Sequence, residues 1–186
     1  MSRKLRLLWL QGITCNGNTH SFLNYPRLDS LLELFEILHH PILPSGLSLE
    51  NVAACETECD VLIVEGAYRA DFERAGVPMK QLIEHYAKTA SHIIAVGSCA
   101  SFGGMFKATD PDRVRGIVFD GELPEGPLAG HREVVINLPG CPMHPEWLAF
   151  VLNMIAQKKP IAVDALQRPL ELFGYLVHHG CMRNEY

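Results

Sequence analysis

Four short apolar runs stand out along the chain, and each is followed by a glycine, a proline or a polar residue. Runs of about four to seven β-branched and aliphatic residues with such ends are typical of fully buried parallel strands. The pattern therefore predicts four strands, at Leu5–Leu10, Asp60–Val64, Ser91–Gly97 and Val134–Leu138.

Amphipathic stretches with helical spacing lie between these runs. Apolar residues recur at i, i+3, i+4 and i+7, which predicts helices with one buried face. The predicted helices are Arg27–His39, Met79–Ala90 and Glu146–Gln157, with a shorter helix or turn in Glu50–Glu58 and a short edge strand in Ile42–Leu49. Helices that alternate with strands indicate an α/β fold built on a parallel sheet.

Three of the six cysteines come soon after a predicted strand, namely Cys15, Cys99 and Cys141. In an open parallel sheet, functional groups collect beyond the carboxyl ends of the strands, so we expect the three thiols to converge there. Converging thiolates suit zinc or an iron–sulfur cluster. A disulfide with one spare thiol, or three unrelated core cysteines, are the alternatives.

The first loop and the second strand end add polar groups to this edge. The loop Gln11–Ser21 is expected to turn its backbone N–H groups inward, where they stabilise an anion or the sulfides of a cluster. Glu65 follows the strand Asp60–Val64 at the same edge. Its carboxylate is expected to accept hydrogen bonds from loop N–H groups beside the metal site or to contact a partner. The alternative is that Glu65 is a solvated loop residue.

The other cysteines have different surroundings. Cys55 and Cys59 precede a strand, so they lie at the opposite edge of the sheet and are interpreted as structural. His178 and Cys181 form an H-x-x-C pair near the end of the chain. This pair fits two ligands of one metal site on a turn, or a chance His and Cys in a frayed tail.

Composition limits the class of protein. The chain has 186 residues, 48% of them hydrophobic, which is enough for one domain with a tail and for a buried subunit interface. Its net charge of −5 argues against nucleic acid as the main partner. No apolar run approaches the roughly 18 residues of a membrane helix.

The N-terminal segment MSRKLRLLWLQG is basic and then apolar, as in a signal peptide. Its apolar run is short, however, and no small-residue cleavage site follows it, so it is interpreted as the first strand. A cytoplasmic chain is expected, with membrane association only through partners. In that compartment the cysteines are ligands or core residues rather than a disulfide framework.

Taken together, these stretches resemble the small, electron-transfer subunit of nickel–iron hydrogenases. The matching segments are LWLQGITCNGNTHSFL, VEGA, AVGSCASFGG, LPGCPMHPEW and VHHGC, which occur in the family's order along the whole chain. The GCP-x-x-P-x-W and GSC elements together are the most specific of them. The cluster subunits of quinone oxidoreductases share the sheet and the cluster-bearing edge, and are less similar.

The resemblance implies an α/β, flavodoxin-like parallel sheet with helices on both faces and cluster-binding loops at the C-terminal edge of the strands. This domain is expected in residues 1–157, followed in 158–186 by a connector and the start of a distal and medial cluster segment. By matching positions, the proximal iron–sulfur cluster is implied to be held by Cys15, Cys99 and Cys141.

The resemblance also implies roles for three further residues. Glu65 matches the family's glutamate close to the proximal cluster, and His178 and Cys181 match two ligands of a distal cluster. No cysteine follows Cys181, although the family continues there with further ligands. The chain is therefore expected to be incomplete after Tyr186; the alternative is a short relay that a partner completes.

One departure from the family concerns the first loop, where C-x-x-C is usual and this chain has Cys15 and Asn18. A neutral amide is a poor iron ligand compared with a thiolate. We therefore predict a proximal 3Fe–4S cluster, or a 4Fe–4S cluster with one unusual ligand, beside Asn18. Either form is expected to raise the reduction potential and to favour H₂ oxidation with a high-potential acceptor.

The function implied is electron transfer from H₂. The nickel–iron centre would lie in a separate large subunit, as a heterodimer or higher oligomer, and an acceptor such as quinone would receive the electrons. This chain lacks the paired C-x-x-C motifs that such a centre needs, so alone it would not be catalytic. The segment Met105–His131 and the cluster edge are the predicted partner surface.

Two other functions are weighed against this one. The first is the small subunit of a hydrogen-sensing regulatory hydrogenase, which would turn over slowly with an artificial acceptor. The second is a flavin or nucleotide protein without a cluster. That alternative is disfavoured because QGITCNGNTHS has neither a hydroxyl-rich phosphate cradle nor a G-x-G-x-x-G turn.

Overall fold

The core of the computed structural model, which describes residues 3–54 and 57–181, is a parallel sheet of five strands. The strands follow the order β2-β1-β3-β6-β7, and every neighbouring pair is parallel. This order is the one found in flavodoxin-like sheets. The strands are β1 (Leu5–Gln11), β2 (Phe35–His39), β3 (Val61–Glu65), the hairpin strands β4 (Glu73–Arg74) and β5 (Val77–Pro78), β6 (His92–Val96) and β7 (Val135–Leu138).

Helices cover both faces of the sheet, as predicted. They are α1 (Gly17–Leu23), α2 (Leu28–Leu32), α3 (Leu49–Ala54), α4 (Met79–Ala87), α5 (Gly97–Phe102), α6 (Gly104–Thr109), α7 (Pro145–Ala156) and α8 (Leu170–Phe173), with 3₁₀ helices at Ala129–Val134 and Val177–Gly180. Buried residues of α1, α2 and α7 pack on one face, and those of α3, α4 and α5 on the other. Within the described residues, no helix is both long and apolar enough to cross a membrane.

Alternate residues of each strand serve the two faces. In β1, Leu8 and Leu10 join one apolar cluster, whereas Leu7 and Trp9 join the other. A strand buried on both faces has no polar side to expose, which explains its continuous apolar run. Full burial of such side chains contributes about 1.5–3 kcal/mol each to folding.

The register of the strands aligns their carboxyl ends in one row. Gln11 is the partner of Glu65, Glu65 of Val96, and Val96 of Leu138. Three of the four segments that leave this row carry a cysteine. The sheet therefore brings segments that are far apart in sequence to a single edge.

One predicted helix is wrong. The stretch Arg27–His39 forms a helix only over Leu28–Leu32, and Phe35–His39 is the edge strand β2, paired with β1. A five-residue stretch with three apolar side chains fits either period when it follows a helix, and β1 offers its free edge to this second half. The edge strand predicted in Ile42–Leu49 is absent among the described residues, because β2 occupies that edge.

His40 follows β2 and is buried against the Trp9 ring, with 4.8 Å between ring centroids. Its Nδ1 accepts hydrogen bonds from the backbone N–H groups of Ile42 (3.1 Å) and Leu43 (3.0 Å). Burial lowers the pKa of His40 from 6.5 to about 4; the Glu65 carboxylate opposes this shift. The folded protein therefore keeps this ring neutral where the unfolded chain would bind a proton.

Lowering the pH from 6.5 to 4 is therefore expected to destabilise the fold by up to about 3 kcal/mol through His40 alone. The sign follows because only the unfolded state gains a proton in this window. His40→Asn keeps an acceptor for the two N–H groups and cannot titrate. Urea unfolding at a series of pH values should show a smaller slope between pH 4 and 6.5 for this variant, and an unchanged slope would contradict the assignment.

Candidate functional site

The three cysteines predicted to converge all lie beyond the carboxyl ends of the sheet. Cys15 is exposed in the loop between β1 and α1, and Cys141 is exposed in the turn between β7 and α7. Cys99 is half-buried within α5. All three are free thiols, so the disulfide considered for this group is not formed.

Electrostatics show that these thiols are neighbours. Burial raises the pKa of the Cys99 thiol, the N–H of Met105 lowers it, and negative charge on Cys141, Cys15 and Glu65 raises it further. Negative charges gathered at one edge repel one another, and a bound cation would offset that repulsion. Bound iron would supply that positive charge.

Two glycines let the backbone pass close to the thiols. A Cβ atom added to Gly104 would lie 2.6 Å from the Sγ of Cys99, and one added to Gly17 would lie 3.3 Å from the Sγ of Cys15. Gly104 also has a φ of +54°, which favours glycine. The small-residue pattern around Cys99 thus reflects a close approach of backbone to sulfur.

Glu65 is fully buried under the first loop, so the solvated interpretation of this residue is wrong. Its carboxylate accepts six hydrogen bonds, three on each oxygen. The donors are Trp9 Nε1 (3.2 Å), Gln11 Nε2 (2.9 Å), Thr14 Oγ1 (3.2 Å), Asn18 N (3.2 Å), Thr19 N (3.1 Å) and Thr19 Oγ1 (2.5 Å).

The first loop does turn N–H groups inward, but two of them bind this side chain. The amides of Asn18 and Thr19 both point at Glu65 Oε1. The anion that they stabilise is thus part of the chain itself. The position of Glu65 after a strand predicted its place at this edge. The sequence did not predict that Trp9 and Gln11 donate hydrogen bonds to it, because the apolar pattern identifies the β1 segment only as a strand.

The loops after β1 and β3 are joined by backbone hydrogen bonds. Ile13 and Ala67 exchange a pair of them, at 2.9 and 2.8 Å, and the N–H of Gly12 donates to the Glu65 carbonyl at 2.8 Å. The Arg74 guanidinium, which the sequence did not single out, donates to the carbonyls of Gln11 (3.3 Å) and Gly12 (3.0 Å). The start of the Cys15 loop is therefore held in place from two sides.

Asn18, which the resemblance matches to a second cysteine of the family, is buried at this site. Its Oδ1 accepts a hydrogen bond from the Met143 N–H at 2.9 Å. Its amide also packs against Gly97, where an added Cβ would lie 2.2 Å from Nδ2. The residue predicted to be near the cluster is therefore close to all three cysteine-bearing segments.

The remaining predicted residues belong to other elements of the chain. His178 and Cys181 are exposed at the 3₁₀ helix Val177–Gly180, where the Cys181 N–H donates to the His178 carbonyl at 3.2 Å. Cys59 is buried before β3, and burial raises the pKa of its thiol to about 12, as suits a structural cysteine. Cys55 lies outside the described residues.

The donor set fits an iron–sulfur cluster. Thiolates are its usual ligands, and the three thiols share one edge with small residues around them. In the part of the chain described, no three His, Cys, Asp or Glu side chains surround one position for a single metal ion. The assignment of individual ligands stays a prediction.

The sequence is similar to a known protein family and to hydrogenase small subunits. The family described as NADH ubiquinone oxidoreductase, 20 Kd subunit, matches residues 15–155. The Hydrogenase-2 small chain of Escherichia coli strain K12 is 30% identical over 196 residues, which cover 97% of this chain and 50% of that protein. The periplasmic NiFeSe hydrogenase small subunit of Desulfomicrobium baculatum is 26% identical, with coverages of 97% and 66%.

Solved structures are similar in fold. The reduced, active Ni-Fe-Se hydrogenase from Desulfomicrobium baculatum superposes with a TM-score of 0.75 at 25% identity, covering 97% of this chain and 74% of that chain. The actinobacterial-type NiFe-hydrogenase from Ralstonia eutropha H16 gives a TM-score of 0.71 at 21% identity, with coverages of 97% and 62%. The chain spans about half the length of its Hydrogenase-2 relatives.

Proposed function

Because the chain belongs to the family of the NADH ubiquinone oxidoreductase 20 kDa subunit, we propose that it is the electron-transfer, iron–sulfur subunit of a nickel–iron hydrogenase. The observation that carries this proposal is the group of three free thiols beyond the strand ends, close enough for their charges to interact. The similarity to hydrogenase small subunits supports it.

In this function the chain carries electrons and performs no bond chemistry itself. At the large subunit, H₂ gives two protons and two electrons. Cys15, Cys99 and Cys141 would hold an iron–sulfur cluster, and that group would supply one-electron transfer between the large subunit and the acceptor. With quinone as the acceptor, two electrons and two protons complete its reduction to quinol.

Cys15, Cys99 and Cys141 would hold the proximal cluster, with Asn18 and Glu65 beside it. Three thiolates in place of four favour a 3Fe–4S cluster, or a 4Fe–4S cluster with one unusual ligand. The chain's own contribution to the potential would include the buried Glu65 carboxylate. Burial and hydrogen bonding around a cluster are among the main determinants of its potential.

The partner surface would include the segment that follows Cys99. Met105 and Leu123 leave 62% and 60% of their surfaces exposed, although both have large apolar side chains. Both lie in Met105–His131, the segment predicted to be part of the partner surface. Contact with a large subunit would bury both side chains, and Met105 would bring that contact next to Cys99, whose thiol accepts a hydrogen bond from the Met105 N–H.

At the other end, His178 and Cys181 would supply two ligands of a distal cluster, and the other ligands would come from elsewhere. Their exposure at the 3₁₀ helix Val177–Gly180 leaves them accessible to such a cluster. No observation separately favours the hydrogen-sensing alternative.

The test is low-temperature EPR and iron analysis of the complex purified with its large subunit. We expect a signal from the proximal cluster that Cys99→Ser abolishes or strongly reduces, together with H₂-dependent reduction of a viologen dye. Cys59→Ser is the matched control, since that thiol is buried far from the loops, and it should retain both. Equal iron content and spectra in the Cys99 variant and the parent would overturn the proposal.

A further inference from the structure

We propose that Asn18 is a positioning residue that clamps together the three cysteine-bearing segments, and that it does not bind iron. The inference uses contacts present in the chain itself; its statement about iron rests on the function proposed above. The side chain contacts segments from three separate parts of the sequence. It reaches Met143 across 125 positions.

The amide oxygen of Asn18 is already used. Its Oδ1 accepts from the Met143 N–H at 2.9 Å, two residues after Cys141. An unpaired buried N–H costs about 1–3 kcal/mol, so turning this oxygen toward iron would leave the Met143 N–H without its partner. The amide nitrogen has no free lone pair to offer a metal.

The other side of the Asn18 amide packs against Gly97. Gly97 lies two residues before Cys99, and any Cβ there would lie 2.2 Å from Nδ2 and 2.7 Å from Oδ1 of Asn18. Its φ of +83° adds a second reason for glycine. The flat amide therefore fills the space between the Cys99 segment and the Cys141 turn, while its own backbone belongs to the Cys15 loop.

Pairwise links support the same arrangement. The Ser98 N–H donates to the Gly140 carbonyl at 2.8 Å, and the Gly140 N–H donates to Ser98 Oγ at 3.1 Å. Ser21 Oγ donates to the Met143 carbonyl at 2.7 Å. These bonds join the segments two at a time, whereas Asn18 contacts the other two at once, so its loss should let the spacing of all three thiols change.

The experiment is a double-mutant cycle on the complex, with Asn18→Ala, Gly97→Ala and the double variant. Hydrogen exchange resolved to the Met143 amide reports on the clamp, and EPR reports on the iron. We expect Asn18→Ala to accelerate exchange at Met143 about tenfold, the factor for one lost neutral hydrogen bond. Asn153→Ala, a half-buried asparagine bonded within α7, should leave it unchanged.

Coupling between the two sites distinguishes a clamp from general destabilisation. Gly97→Ala should broaden the EPR signal and accelerate Met143 exchange more in the parent than when Asn18 is already alanine, because only the strain of the positive φ then remains. Gly121→Ala is the matched control, because Gly121 also has a positive φ, +62°, but no atom within 4 Å of an added Cβ. Strictly additive effects of the two changes would overturn the clamp.

Isotope labelling distinguishes the two possible roles of Asn18, as a clamp between segments or as an iron ligand. With ¹³C-asparagine, pulsed EPR of the complex should show no contact coupling between iron and the Asn18 carboxamide, and a strong coupling would overturn the proposal. If the complex held no cluster, the proposed function would fail. Met143 exchange and the coupling with Gly97 would still decide whether Asn18 is a clamp.

Discussion

Glu65→Gln is expected to lower the free energy of unfolding by about 4 kcal/mol, since hydrogen bonds to a charged group are roughly twice as strong as neutral ones. Each carboxylate oxygen of Glu65 accepts from three donors, so an amide placed there must direct its NH₂ group at other N–H or O–H groups. With NH₂ on the Oε2 side, the Trp9 N–H loses its partner. Chemical denaturation followed by Trp fluorescence would measure the change.

Glu58→Gln is the matched control for this result. Glu58 pairs with Arg6 at 3.4 Å, but 73% of its side chain is exposed. Pairs of this kind contribute about 0–1 kcal/mol, so the control should remain within about 1 kcal/mol of the parent. Equal effects of the two substitutions would mean that the buried network around Glu65 does not stabilise the fold.

Gly104→Ala should cost the complex most of its proximal cluster. An added Cβ would lie 2.6 Å from the Cys99 Sγ and 3.0 Å from the Cys99 Cα, so the thiol must move away from its position. Changes next to a metal ligand typically cost about 10–100-fold in metal affinity. Iron per complex and the intensity of the EPR signal are the measurements.

The strain of a positive φ must be separated from the clash with Cys99. Gly121→Ala carries comparable backbone strain, with φ of +62°, and meets no neighbouring atom. We expect this variant to unfold more easily while retaining its iron. Loss of iron in both variants would indicate that general destabilisation, rather than displacement of Cys99, empties the site.

Much of the fold follows from the sequence because the central strands are buried on both faces. Such strands produce uninterrupted apolar runs, and β1, β3, β6 and β7 were all predicted from them. The edge strand β2 was mistaken for part of a helix. Its exposed Glu36 and half-buried Ile37 give it the mixed pattern of a surface element, and only pairing with β1 distinguishes the two.

The cysteine edge could be predicted for the same reason, since parallel strands that end in cysteine deliver the thiols to one place. The network inside that edge could not. Nothing in the sequence shows that the Trp9 indole bonds to Glu65, or that Asn18 reaches Met143. These contacts depend on tertiary distances, which local patterns do not encode.

The single row formed by Gln11, Glu65, Val96 and Leu138 has a consequence for the order in which parts of the protein fold. The last strand of this row lies far along the chain, and long-range pairing of parallel strands forms slowly. Until β7 docks, the Cys141 turn has no fixed position opposite Cys15. The three thiols are therefore expected to come together only after the last strand has paired, which makes completion of the sheet the step that forms the site.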